Sequence, residues 1–170
     1  MGITDAQAEM IATLLNARNE LTVLYTRERV LRDAENYRCV LSNIGDVVAC
    51  VEMKKAQWYQ LEVLHLTVSE AHEGNGHAKA LLREAERVAR EKNARILQCT
   101  IRNDNSRSRR LFEGFGFRLV NTFFNTRSGN NVGVFQKVLE PARSREYVKP
   151  AFTRTPYEST LRDDKEGHAR

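Results

Sequence analysis

The run Glu73-Gly74-Asn75-Gly76-His77-Ala78 sets two glycines one residue apart. An apolar stretch with Val63, Leu64, Leu66 and Val68 precedes it, and a strongly amphipathic segment follows. A strand that opens into such a loop at a helix N-terminus leaves backbone N–H groups without helical acceptors. The helix dipole points the same way, so the chemistry is anion binding, with a phosphate or diphosphate as ligand. Residue types exclude two common phosphate loops. A dinucleotide fingerprint requires a small residue three positions after its second glycine, where Lys79 stands, and a P-loop requires Lys then Ser or Thr where His77-Ala78 stands. Nucleotide hydrolysis is therefore disfavoured.

A second block, residues 105–117, reads NSRSRRLFEGFGF. Together the two blocks resemble the signatures of the GNAT superfamily of N-acetyltransferases. The family's diphosphate loop is Gln or Arg, two residues, Gly, one residue, then Gly or Ala. Its second signature is Asn, a small residue three on, Leu-Tyr and a closing Gly-Phe, matched here by Asn105, Ser108, Leu111 and Gly116-Phe117. Leu66-Thr67-Val68 resembles the family's central strand, and the likeness is traceable over residues 37–138.

The resemblance implies a mixed α/β fold with a mostly antiparallel central sheet flanked by helices and splayed between the central strand and the next. It implies acetyl-CoA as cosubstrate and direct acetyl transfer to the primary amine of a small-molecule or peptide acceptor. By position, backbone N–H groups of Leu66, Thr67 and Val68 would serve the thioester carbonyl and the pantetheine arm. Glu73, Gly74, Asn75, Gly76, His77 and Ala78 would hold the diphosphate. Asn105, Ser108, Arg110 and Phe112 complete the implied cofactor set.

Deprotonating an ammonium with a pKa near 10.4 calls for a base. Glu62 and His65 lie just before the implied bulge, and their spacing of three predicts opposite faces of the strand, so that one serves, with Glu62 preferred. Two departures from the family pattern stand out. Phe112 replaces the Tyr that protonates the leaving thiolate; a thiol pKa near 8.5 lets coenzyme A leave without that help. Glu73 puts a negative charge where the family has Arg or Gln, with His72, His77 and Lys79 nearby to offset it. These departures motivate the alternative of a catalytically inactive acyl-CoA-binding or regulatory module. The cluster Arg107, Arg109 and Arg110 motivates nucleic acid as a less favoured partner.

The chain has 170 residues, 41% of them hydrophobic, enough for one core and one domain over residues 1–139. No stretch approaches the roughly 20 apolar residues of a membrane helix, and no basic-then-apolar signal opens the chain, which predicts a soluble, cytoplasmic protein without a membrane partner. Ala6 occupies the position that myristoylation reserves for Ser or Thr. Cys39, Cys50 and Cys99 form no Cys-x-x-Cys pair and read as core residues, with no metal site. The net charge of +5 suits acidic ligands in general.

The elements that position these residues follow from periodicity. Thr4 and Gln7 form a capping box for a helix to about Arg18, and a short helix is expected over residues 28–36. Residues 38–43 and 47–53 make a hairpin around Ile44-Gly45-Asp46, and residues 57–68 the next strand. Ala78, Leu81, Leu82, Ala85, Val88 and Ala89 keep helical rhythm. A strand at 96–101, a helix at 106–113 and a hairpin of 117–126 with 132–138 complete the domain. The family's usual first strand is missing or falls at residues 22–25. Residues 140–170 hold all three prolines, with seven basic and six acidic residues, and are expected to be a mobile tail or a strap that docks Tyr147, Phe152 or Tyr157 on its own domain or on a homodimer partner. Substrate walls are expected from Tyr25, Arg27, Phe123, Phe124 and Arg127.

Overall fold

The computed structural model describes residues 2–19 and 23–139. Helix α1 (Asp5–Arg18) begins at Thr4, whose hydroxyl accepts from the Gln7 N–H while the Gln7 side chain accepts from the Thr4 N–H, as the capping box predicts. Helix α2 (Arg27–Arg32) is capped by Thr26 and passes into a 3-10 turn at Ala34–Asn36, so the expected single helix over 28–36 is broken at Asp33. Six strands follow: β1 (Tyr37–Leu41), β2 (Val47–Gln57), β3 (Gln60–Val68), β4 (Ile96–Arg102), β5 (Arg118–Asn125) and β6 (Asn130–Val138). Helix α3 (His77–Glu91) links β3 to β4, and α4 (Ser106–Gly114) links β4 to β5.

The strand expected over 57–68 is instead half of a second hairpin. β2 runs on to Gln57 and turns through Trp58-Tyr59, both exposed. Neither residue belongs to the Gly, Asn, Asp and Pro set that marks a turn in sequence, which hid it. Residues 23–25 form no strand, and Thr22 lies outside the described residues, as does the whole segment 140–170.

The sheet order is β1-β2-β3-β4-β6-β5, antiparallel except for β3 beside β4. One face carries α3 and α4, where Leu81, Leu82, Ala85, Val88, Ala89 and Phe112 bury against Val51, Leu61, Val63, Leu97 and Phe135. Burying each large aliphatic side chain contributes about 1.5–3 kcal/mol, so the apolar stripe of α3 is what holds it to the sheet. Ile11, Leu15 and Val30 of α1 and α2 cover Tyr37 and Cys50 on the other face. Among the described residues no helix is long and apolar enough to cross a membrane.

Two irregularities in β3 shape everything that follows. β3 pairs with β4 only from Gln60 to Glu62, while β4 continues along β6 to Arg102, so the two central strands part into a wedge. On its other side β3 pairs Leu64 with Glu52 and Thr67 with Cys50, which sets two residues, His65 and Leu66, against one, Val51: a β-bulge. His65 sits in it with φ +50°. The bulge resets alternation: Glu62 and Leu64 register with Lys54 and Glu52, and the His65 ring also reaches Glu52. Glu62 and His65 thus share the α1/α2 face, not opposite faces as a regular period of two predicts.

Candidate active site

Where β3 has parted from β4, a cavity of about 500 Å3 lies between the end of β3, the loop before α3 and the start of α4. Its lining brings together Leu66, Thr67, Val68, Glu73, Gly74, Gly76, His77, Ala78, Asn105 and Ser108, all from the resemblance, and adds Arg18, Asn19 and Arg107. Asn75, Arg110 and Phe112 are not part of the lining. Phe112 turns into the core at 5% exposure and meets Phe117 edge-on at 5.0 Å, so it closes the floor beneath α4 without reaching the cavity.

Backbone donors define this cavity. Gly74 and Gly76 take φ of +79° and +80°, and the N-cap Gly76 offers no side chain to the helix end. Among the described residues, no acceptor meets the N–H groups of residues 74–79; the first helical bond is Ala80 N–H to Gly76 O at 3.0 Å. Alternating left-handed residues at a helix start form a concave nest of donors, suited to a diphosphate. The wedge supplies more. Ser69 N–H donates to Val48 O at 2.8 Å, so alternation along β3 turns the Val68 and Leu66 N–H groups to the open side and the Thr67 N–H toward β2. Thr67 contributes its hydroxyl instead: it donates to His65 O at 3.1 Å and accepts from Asn19 at 3.0 Å, tying the bulge to the end of α1. Asn105 caps α4 by accepting from Ser108 N–H at 3.0 Å.

The Glu73 charge is compensated, though not by the histidines or Lys79. Arg18 reaches its Oε1 at 2.5 Å, and Arg107 spans both oxygens at 2.8 and 2.7 Å. The Arg107 hydrogen bond, followed by the charges of both arginines, holds the carboxyl below its usual range against the opposing effect of burial. No spacing rule links Glu73 to α1, so sequence alone carried no signal for Arg18.

On the other side of the bulge lies an open cavity of about 360 Å3, lined by Val23, Tyr25, Arg29, His65, Asn125, Arg127 and Ser128. Of the expected walls only Tyr25 and Arg127 line it; Arg27 pairs instead with Asp5 and Glu28. Tyr25 Oη lies 2.6 Å from His65 Nε2, and Glu52 Oε2 lies 3.7 Å from the same nitrogen. The Asn16 side chain clamps both backbone groups of Tyr25, at 2.9 and 2.8 Å. Glu52 is 1% exposed, and Lys54 Nζ stands 2.7 Å from its Oε1, off the line that a hydrogen bond requires. Burial depresses the His65 pKa below 6.5, with Arg29 and Lys54 adding to it and Glu52 opposing. Glu62, raised by burial, lines neither cavity. Burial pushes the Cys50 thiol up to about 12, which removes it as a nucleophile.

The sequence profile of the acetyltransferase (GNAT) family matches residues 5–117, and the chain belongs to that family. The family's cosubstrate is acetyl-CoA, and the free N–H groups of residues 74–79 fit its diphosphate. Among solved structures the fold is similar to Ard1 from Thermoplasma volcanium, at 20% identity and a TM-score of 0.71 over 83% of this chain and 97% of that one. It is also similar to yncA, a putative acetyltransferase from Salmonella typhimurium with its cofactor acetyl-CoA, at 18% identity and 0.69 over 83% and 93%. A third is the ribosomal-protein-S18-alanine N-acetyltransferase from Escherichia coli, at 14% and 0.68 over 86% and 97%. No curated protein is significantly similar in sequence.

Proposed function

We infer that the protein is an N-acetyltransferase that moves the acetyl group of acetyl-CoA directly to a primary amine. One observation carries this: consecutive residues of one bulge, His65 and Leu66, border two different cavities, a donor-lined one for a diphosphate carrier and an open one for an acceptor. Acetyl-CoA supplies the activated acyl group as a thioester.

The chain's own residues divide the remaining work. The N–H groups of residues 74–79 hold the diphosphate, and Asn105 and Val68 border the path of the arm. The Leu66 N–H is aimed to donate to the carbonyl oxygen, where charge develops as the amine nitrogen attacks. His65 is the base. The buried Glu52 carboxylate favours a proton on Nε2, which leaves the Nδ1 lone pair to take the proton the amine loses. The new C–N bond forms as the C–S bond breaks, and the thiolate departs without an acid from Phe112.

His65 is preferred to Glu62 because it borders the acceptor cavity. The inactive-module alternative loses half its motive once Glu73 is compensated by two arginines. The nucleic-acid alternative weakens because Arg107 is bound to Glu73 and Arg109 to Glu113 at 2.9 Å. The test is thiol release from acetyl-CoA over a panel of amines, with calorimetry of coenzyme binding. Tight binding with no release under any amine would favour the inactive module, and no binding at all would overturn the reading.

A further inference from the structure

The basic side chains around the acceptor cavity are not equivalent. Arg18 is committed to Glu70 and Glu73, Arg27 to Asp5 and Glu28, and Lys54 to Asp33 and Glu52. Arg29 and Arg127 both line the cavity, and neither has a carboxylate partner among the described residues. Arg29 instead sits over the Tyr25 ring, its Cζ 3.8 Å from the ring centre. Arg127 comes from the β5–β6 turn, which Asn125 Oδ1 fixes by accepting from Arg127 N–H at 3.1 Å and Ser128 N–H at 3.3 Å. Two guanidiniums without carboxylate partners among the described residues, one from α2 and one from the β5–β6 turn, form a seat for an anion. Among the described residues no acidic side chain lines this cavity, and the two arginines there favour an anionic over a cationic acceptor.

We propose that the acceptor is a small primary amine that carries a carboxylate or phosphonate a few bonds from its nitrogen, the class of acidic amino acids. This rests on the acetyltransferase reading and narrows it. The spacing is short because one side chain joins the two functions: Tyr25 bonds His65 through its hydroxyl and bears Arg29 on its ring face. With the amine at His65, the anion therefore falls about one aromatic ring away, and Arg127 closes on it from the facing turn. A cavity of about 360 Å3 is at the small end of ligand sites and suits a single amino acid.

The experiment has two readouts. Steady-state thiol release compares L-glutamate and 2-amino-4-phosphonobutyrate with L-glutamine, L-lysine amide and butylamine at saturating acetyl-CoA. The expected kcat/KM falls at least tenfold from the dianionic acceptors to butylamine. In R127Q that advantage shrinks to under threefold, with the loss in KM; the carboxylate and phosphonate arms tell which anion is preferred. Equal or faster turnover of butylamine or lysine amide would overturn the proposal while leaving the acetyltransferase reading intact. Calorimetry of glutarate binding, independent of turnover, is expected to show affinity that drops with salt and in R127Q. Absence of glutarate binding overturns the anion seat, whereas binding without thiol release from any amine counts against the acetyltransferase reading alone.

Discussion

Tyr25 and His65, 40 residues apart in the chain, meet hydroxyl to Nε2 at 2.6 Å, with their rings edge to face at 5.0 Å. The pair joins the segment that follows α1 to the bulge of β3. It engages Nε2 of the imidazole, and in the proposed mechanism the other ring nitrogen serves the acceptor.

His65→Gln removes the imidazole at the bulge. General-base catalysis contributes about 10²–10⁴ in rate, so kcat/KM should fall by roughly a hundredfold or more, while Glu62→Gln changes it by less than about threefold. Single-turnover thiol release from both variants checks this. The opposite ranking would move the base to Glu62.

The pH profile follows from the direction of the His65 shift. Burial lowers its pKa below 6.5, so the neutral, proton-accepting form persists to mildly acidic pH and is lost as pH falls through the depressed value. Activity should therefore show an acid limb centred below 6.5, separate from the limb due to the amine's own ionisation. That limb should vanish in H65Q.

Tyr25→Phe keeps the ring that packs against His65 and Arg29 and deletes the hydroxyl. Losing a hydrogen bond of about 0.5–1.5 kcal/mol loosens the imidazole without opening a cavity. We expect kcat to drop about three- to tenfold with Tm changed by only a few degrees, read by kinetics and calorimetric melting. An unchanged kcat would show that the imidazole is oriented without Tyr25.

Glu73→Gln frees Arg107 and leaves Arg18 with Glu70 alone at the mouth of the larger cavity. Uncompensated guanidiniums attract a diphosphate, so coenzyme A should bind roughly fivefold more tightly at low salt, the gain fading as ionic strength rises. Calorimetry at two salt concentrations tests it. Weaker binding would mean that the carboxylate serves chiefly to orient the two arginines.

Two glycines should fail for different reasons. A Cβ on Gly76 meets nothing within 4 Å, so Gly76→Ala costs about 1–2 kcal/mol in left-handed backbone strain and disturbs the donor nest. A Cβ on Gly133 would lie 2.8 Å from Phe135 Cε2 and 2.9 Å from Leu119 Cδ1, an overpacking cost of about 1–3 kcal/mol. Both variants should melt several degrees lower. Only G76A should also lose coenzyme affinity.

Most of the sheet and the four α-helices of the described residues were legible because helical rhythm, β-branched runs and capping residues are local signals. The Trp58-Tyr59 turn was not, since its residues carry no turn chemistry and the strands on either side are held by their pairing. The split of the 28–36 segment at Asp33 was also invisible to periodicity.

The sequence by itself made the donor nest legible, because two glycines at the start of an amphipathic helix permit left-handed backbone without steric cost and a helix start leaves its first N–H groups unpaired. It also carried the family, through ordered local motifs. Only the tertiary structure decided the charge compensation of the loop and the surroundings of His65. Arg18 reaches Glu73 across 55 residues, and a one-residue bulge moves His65 onto the face of Glu52 and Tyr25. Such pairings depend on where strands register and helices dock, and burial against distant chain sets those positions, whereas local spacing does not.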